Sequence, residues 1–137
     1  MGEPDIQSSK PCILIVEDEV LVRMFAVDAL EDEGFKVVES ATAAEALTKL
    51  QAVHQHIVAV IIDLGLPDRS GDHVAAEIRA LHSDLPILIA SGRSERELKE
   101  RFVLDGRIGI VVKPFTGPML LDALEKLGVK SSPGASA

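Results

Sequence analysis

Four apolar runs of strand length punctuate the chain, and each stops abruptly at a polar side chain. Cys12-Ile13-Leu14-Ile15-Val16 meets Glu17-Asp18-Glu19, Ile57-Val58-Ala59-Val60-Ile61-Ile62 meets Asp63, Pro86-Ile87-Leu88-Ile89-Ala90 meets Ser91, and Ile108-Gly109-Ile110-Val111-Val112 meets Lys113. Unbroken hydrophobicity of this length, rather than alternation, predicts strands buried on both faces, as in the middle of a parallel sheet. A fifth run, Phe35-Lys36-Val37-Val38-Glu39, carries charges and suits an edge strand.

Segments of helical spacing separate the strands. The first covers about 20–33, with Val22, Phe25 or Ala26, and Ala29 or Leu30 on one side and Gly34 in the position that usually closes a helix. The second covers about 43–52, with Thr42 as N-cap and Ala46, Leu47 and Leu50 inward. A third starts at Ser70-Gly71-Asp72 and runs to about His82, burying Val74, Ile78 and Leu81. Ser94 caps a charged fourth segment, about 95–102, whose apolar contribution is little more than Leu98 and Phe102, so it should be the least firmly packed. Thr116 caps the last, which tolerates Pro118 in its first turn and turns Leu120, Leu121, Leu124 and Leu127 to the core. Alternating strands and helices demand a parallel five-stranded sheet with right-handed crossovers and helices on both faces, a three-layer doubly wound α/β fold.

The 137 residues suit one domain, expected over 11–130, between polar ends over 1–10 and 131–137 expected to be disordered. A formal charge of -8 argues against nucleic acid and against an anionic membrane as the main partner. No apolar stretch is long enough to span a bilayer and the start lacks signal-peptide character, so a soluble cytoplasmic protein is expected. The single cysteine, Cys12, lies within an apolar run and reads as a buried structural thiol. His54 and His56 have no cysteine or carboxylate neighbours and read as a solvated turn, and the charges over 95–101 as an exposed helix face.

The chemistry gathers where the strands end. A parallel sheet carries Glu17, Asp18, Asp63, Ser91 and Lys113 to one edge, the edge at which open α/β sheets bind ligands. Taken alone, Asp63 also reads as an ordinary cap or turn residue. Three carboxylates in one place repel one another unless a cation is supplied, and an all-oxygen set favours Mg²⁺ or Mn²⁺ over zinc. A carboxylate is also a competent nucleophile toward phosphorus. The pattern therefore assigns Asp63 as nucleophile, Glu17 and Asp18 as metal holders, and Ser91 and Lys113 as stabilisers of phosphoryl oxygens.

Four motifs in order, VEDE at 16–19, DLGLPDRSG at 63–71, IASG at 89–92 and VKPF at 112–115, resemble those of a response-regulator receiver domain over roughly residues 12–128. The resemblance implies a flavodoxin-like sheet of order 2-1-3-4-5. It also implies phosphorylation of Asp63 by a phosphohistidine of a sensor histidine kinase or phosphotransfer protein, with slow autodephosphorylation. Mg²⁺, for which Mn²⁺ can substitute, would be held directly by Asp18, through water by Glu17, and by Asp63 and the backbone carbonyl of Gly65. It further implies a cis Lys113-Pro114 peptide and an influence of Gly65 and Arg93 on phosphate lifetime. Two positions depart from the family pattern. Glu17 replaces the commoner Asp, and Ile110 stands where an aromatic usually swings, so the response is expected to pass instead through 92–102.

Output is expected through contact with a downstream protein, from a monomer or weak dimer. A receiver excised from a hybrid kinase is the nearest alternative. A flavin-binding electron carrier shares the fold but wants a hydroxyl- and glycine-rich phosphate loop and ring-stacking aromatics, where this chain has EDEV and neither Trp nor Tyr. An aspartyl-phosphate phosphatase wants its nucleophile after the first strand with another Asp two residues on, which Glu17-Asp18 does not supply. The complete acidic, Asp, Ser and Lys set weighs against a degenerate docking domain.

Overall fold

The computed structural model describes residues 10–92 and 107–131. The predicted helix over 95–102, its Ser94 cap and Arg93 lie outside these residues, as do the ends beyond Lys10 and Ser131. In chain order the described elements are β1 (Cys12–Val16), α1 (Val20–Asp32), β2 (Lys36–Ser40), α2 (Ala43–Val53), a 3₁₀ turn (His54–His56), β3 (Ile57–Asp63), α3 (Gly71–Leu81), β4 (Ile87–Ser91), β5 (Ile108–Val112) and α4 (Gly117–Lys126). The five strands form one parallel sheet of order β2-β1-β3-β4-β5. The charged run is the edge strand β2, as its composition predicts.

Successive strand side chains point to opposite faces, so each apolar run feeds two cores at once. Leu14, Val16, Val60 and Ile62 pack beneath α2 and α3 with Ala46, Leu50, Val74 and Ile78. Ile13, Ile15, Ala59 and Ile61 pack on the other side with Ala26 and Leu30 of α1 and Leu120 and Leu124 of α4. Of the residues left open on α1, the core takes Ala26 and Leu30 and leaves Phe25 half in solvent. Cys12 is buried and free, and burial pushes its thiol pKa up, which keeps it protonated and unreactive.

Among the described residues, the predicted helix ends at Gly34, Thr42 and Thr116 are found. Gly34 adopts φ 107° after α1, a conformation that costs other residues strain. Thr42 Oγ1 accepts from Glu45 N at 3.1 Å and Thr116 Oγ1 from Met119 N at 3.2 Å. One core expectation is corrected. Leu81 is 70% exposed, because it is the last residue of α3 and lies one turn beyond Ile78 at the margin of the buried stripe.

Asp68, in the loop that follows β3, reaches across to α2. Its two carboxylate oxygens accept from Ala43 N at 2.9 Å and Ala44 N at 3.0 Å, orphan donors at a positive helix end. Those hydrogen bonds hold its pKa below the ordinary carboxylate value. Its contribution to stability is therefore present above its unfolded pKa and is lost as pH falls through the folded one. Asp68→Ala should speed amide exchange at Ala43 and Ala44 at neutral pH and change it little in strong acid. Unchanged exchange at neutral pH would refute the latch.

Candidate functional site

Strand order reverses between β1 and β3, and at this switch point the carboxyl ends of the strands open a crevice. Glu17 extends β1 by one residue, its N–H donating to the Ser40 carbonyl at 3.0 Å. Asp63 and Ser91 are the last residues of β3 and β4, and Lys113 follows β5 directly. Four apolar runs thus deliver their terminal polar residues to one place. Asp18, Glu19, Asp63, Gly65, Ser91 and Lys113 line a cavity of about 490 Å³.

Lys113 binds the acidic side chains together. Its Nζ lies 2.8 Å from Glu17 Oε1, 3.2 Å from Asp63 Oδ1 and 3.4 Å from Glu19 Oε1. Glu17 is held at both ends: Oε2 accepts from Glu19 N at 3.1 Å, and the Arg23 guanidinium donates to its carbonyl at 2.6 Å. Asp63 Oδ1 also accepts from Gly65 N at 3.3 Å. Lys113 N donates to the Ser91 carbonyl at 2.8 Å, joining β5 to β4 at the rim, and the Lys113–Pro114 peptide is cis, as the resemblance implies. Ile110 is half-buried within β5.

One ammonium does not neutralise this many carboxylates. Glu17 is 3% exposed and Asp63 7%. Burial raises the Glu17 pKa, with the Asp63 charge adding to the rise, and its hydrogen bonds to Lys113 and Glu19 N offset only part of it. For Lys113 burial works against the charged form, yet contacts with Glu17 and Asp63 outweigh it and hold the ammonium above its ordinary value. The two shifts go upward for different reasons: burial dominates at Glu17, whereas the neighbouring carboxylates hold the proton on Lys113.

Glu17, Asp18 and Asp63 each present a carboxylate oxygen within 4.8 Å of the others. Three hard oxygen donors in an under-neutralised cluster, without thiolate or imidazole, fit a hard divalent cation.

Close packing sets the position of Asp63. A Cβ on Gly71, the first residue of α3, would lie 2.5 Å from the Asp63 carbonyl oxygen and 2.7 Å from Leu64 Cα, so only glycine lets the helix start this close to the strand end. Gly71 N donates to the Leu64 carbonyl at 3.0 Å across the same contact.

The match to the response regulator receiver domain family covers residues 13–125. The chain belongs to that family. The receiver is 30% identical over 120 residues to the sensor kinase CckA of Brucella abortus, covering 88% of this chain and 13% of that protein. It is 35% identical over 113 residues to the transcriptional regulatory protein PdtaR of Mycobacterium tuberculosis, covering 82% of this chain and 54% of that one. The chain thus spans between about an eighth and about half of the length of these relatives. Among solved structures, the chemotaxis protein CheY4 of Vibrio cholerae superposes with a TM-score of 0.77 at 28% identity, covering 85% of this chain and 98% of the other. The flavodoxin-like fold of the receiver and its place in two-component signalling follow from this membership, and the flavin-carrier reading keeps only the shared fold.

The structure brings together the residues that the strand ends predicted, Glu17, Asp18, Asp63, Ser91 and Lys113, and beside them Gly65, which the resemblance implies. Sequence reasoning grouped Glu19 with the acidic run but not with Lys113. It passed over Arg23, Asp68 and the tight approach of Gly71. The glycine closing DLGLPDRSG was the available signal for the last of these.

Proposed function

We propose that Asp63 is the phosphoacceptor of this receiver, taking a phosphoryl group from the phosphohistidine of a sensor histidine kinase or phosphotransfer protein. The observation that carries this reading is the contact of Lys113 Nζ with Asp63 Oδ1 beside the buried Glu17, a fixed cation beside the acceptor carboxylate. Oδ1 is engaged by Lys113 and by Gly65 N, which leaves Oδ2 as the attacking oxygen. Oδ2 forms the new P–O bond as the P–N bond to the donor imidazole breaks, and the imidazole leaves with its electron pair. Lys113 then turns from the carboxylates toward the phosphoryl oxygens, and the Ser91 hydroxyl donates to one of them. Glu17, Asp18, Asp63 and the carbonyl of Gly65 would hold Mg²⁺ or Mn²⁺. The ion supplies positive charge to the carboxylates and to the phosphoryl oxygens. Neither Gly65 nor Arg93 offers a general base for water, so hydrolysis is slow.

Acetyl phosphate with Mg²⁺ should add one acid-stable, base-labile phosphate to the protein and none to Asp63→Asn. Equal labelling of the two proteins would overturn the assignment.

Receivers exchange phosphate with histidine kinases or phosphotransfer proteins. Here an apolar ridge on α1 supports docking of such a partner beside the site: Val20, Leu21, Met24 and Phe25 are all exposed, Leu21 by 80%. Phe25 meets Phe115 at 6.2 Å between ring centroids, and Leu21, Val22, Phe25 and Phe115 line a cleft of about 500 Å³ that reaches Lys113. Leu21→Arg should slow transfer from the kinase by about tenfold, the cost of one lost apolar anchor, while acetyl phosphate labelling stays at the parent rate. Equal slowing with both donors would place Leu21 in folding rather than docking.

Among the described residues no helix is long and apolar enough to cross a membrane. We place the receiver in the cytoplasm, as a monomer or weak dimer signalling to a downstream protein, with its domain over 11–130. The match within a sensor kinase supports a second reading, the receiver segment of a hybrid kinase. Phosphoryl passage from Asp63 onward to a phosphotransfer protein, faster than hydrolysis, is the outcome that this reading expects.

A further inference from the structure

Away from the cleft at Lys113, the turn that joins α1 to β2, helix α4 and the segment after it line a groove of about 600 Å³. Phe35, Leu121 and Val129 supply its apolar surface, and Glu33, Asp122 and Glu125 its acidic rim. All three carboxylates are exposed. Among the described residues Lys130 is the one basic side chain in the lining, and Lys126, on α4, pairs with Asp122 at 3.2 Å. Among the described residues no cation pairs with Glu33 or Glu125.

The end of α1 sharpens this imbalance. Asp28, Glu31, Asp32 and Glu33 crowd its last turns with no basic residue in the last turn, at the helix end where the dipole already places partial negative charge. Like charges at three- and four-residue spacing on a helix repel as well. Helical spacing from Phe25, which meets Phe115, through Ala29, beside Gly117, carries Asp32 and Glu33 to the side of α1 that faces α4. A positively charged occupant would relieve this repulsion.

We propose that this groove is a docking surface for a basic amphipathic segment of a partner protein, its Lys or Arg side chains on Glu33, Asp122 and Glu125 and an apolar side chain against Phe35, Leu121 and Val129. Charge decides among occupants. Two copies of a chain of net charge -8 would meet here with like-charged rims. Residues 132–137, which follow the groove-lining Ser131, carry no charged side chain to complement them. The groove lies where α1 ends and β2 begins, at the amino edge of the sheet, whereas Asp63 lies at the carboxyl edge. The two sites are thus separate, and occupancy leaves Asp63 open to a phosphodonor.

The test uses the full chain, isotope-labelled for amide NMR, titrated with a short synthetic peptide of alternating lysine and leucine. Shifts are expected at Glu33, Phe35, Leu121, Glu125 and Val129. Glu33→Lys combined with Glu125→Lys, both on exposed side chains, should weaken binding by at least about tenfold, as should a peptide in which glycine replaces leucine. Raised salt should weaken it too. The proposal is overturned if shifts centre on Glu17, Asp63 and Lys113, if the lysine and glycine peptide binds equally well, or if the double variant binds as tightly as the parent.

Discussion

Lys113→Ala should leave a folded protein that is phosphorylated poorly, is less stable at neutral pH, and gains more from Mg²⁺ than its parent does. The ammonium contacts Glu17, Asp63 and Glu19, and its own side chain is only 16% exposed. Removing one partner of a largely buried pair strands the other charge, which costs about 3–5 kcal/mol. The pH dependence follows from the two shifts. Glu17, raised by burial, binds a proton more readily in the folded state, so it lowers stability as pH rises from its unfolded pKa through its folded one. Without Lys113 that rise is larger, and the deficit grows from the carboxylate range toward neutrality. Lys113, held above its ordinary 10.5, adds stability that is complete below its unfolded pKa and disappears as pH rises through the folded one. The stability difference between parent and variant should therefore be small in acid, large near neutrality and small again in strong alkali. Urea unfolding in metal-free buffer across that range checks it. A difference independent of pH would remove electrostatics as its cause. Added Mg²⁺ should narrow the neutral-pH gap, because a divalent ion replaces the missing positive charge.

Gly71→Ala should damage phosphorylation more than it damages folding. The new Cβ would fall 2.5 Å from the Asp63 carbonyl oxygen and 2.7 Å from Leu64 Cα, and neither is the movable end of a side chain. β3 and α3 must part, at an overpacking cost of about 1–3 kcal/mol, against which the better helix propensity of Ala returns at most about 1 kcal/mol. The displaced atoms belong to the acceptor residue itself. A shift approaching 1 Å at a reacting group costs up to about a hundredfold in rate, so labelling by acetyl phosphate should fall by about tenfold to a hundredfold. Gly117 is the control, since a Cβ there would rest 3.5 Å from Ala29 Cβ in ordinary contact, and Gly117→Ala should fold and label near the parent rate. Wild-type labelling by Gly71→Ala would mean that the strand end yields without moving Asp63.

The strands, the layers and the polar groups at the strand ends are legible from residue order alone. Residues 12–16, 57–63 and 87–91 are legible because a strand buried on both faces has no polar side to interrupt it, and the charges of 36–40 mark the edge. Once the strands are parallel, polar residues that end them must share an edge, which places Glu17, Asp63, Ser91 and Lys113 together without any coordinates. Which groups touch is settled by packing. Glu19 and Lys113 are 94 residues apart, and Asp68 lies 25 from Ala43. Periodicity reports which way a side chain faces and carries no information about which distant group it meets. The same limit explains the choice of Ala26 over Phe25 and of Leu30 over Ala29, the exposure of Leu81, and the acidic groove, whose rim joins Glu33 to Glu125 only because α1 and α4 pack side by side. Burial and close approach are properties of packed surfaces, and a linear pattern does not encode them until the chain has closed on itself.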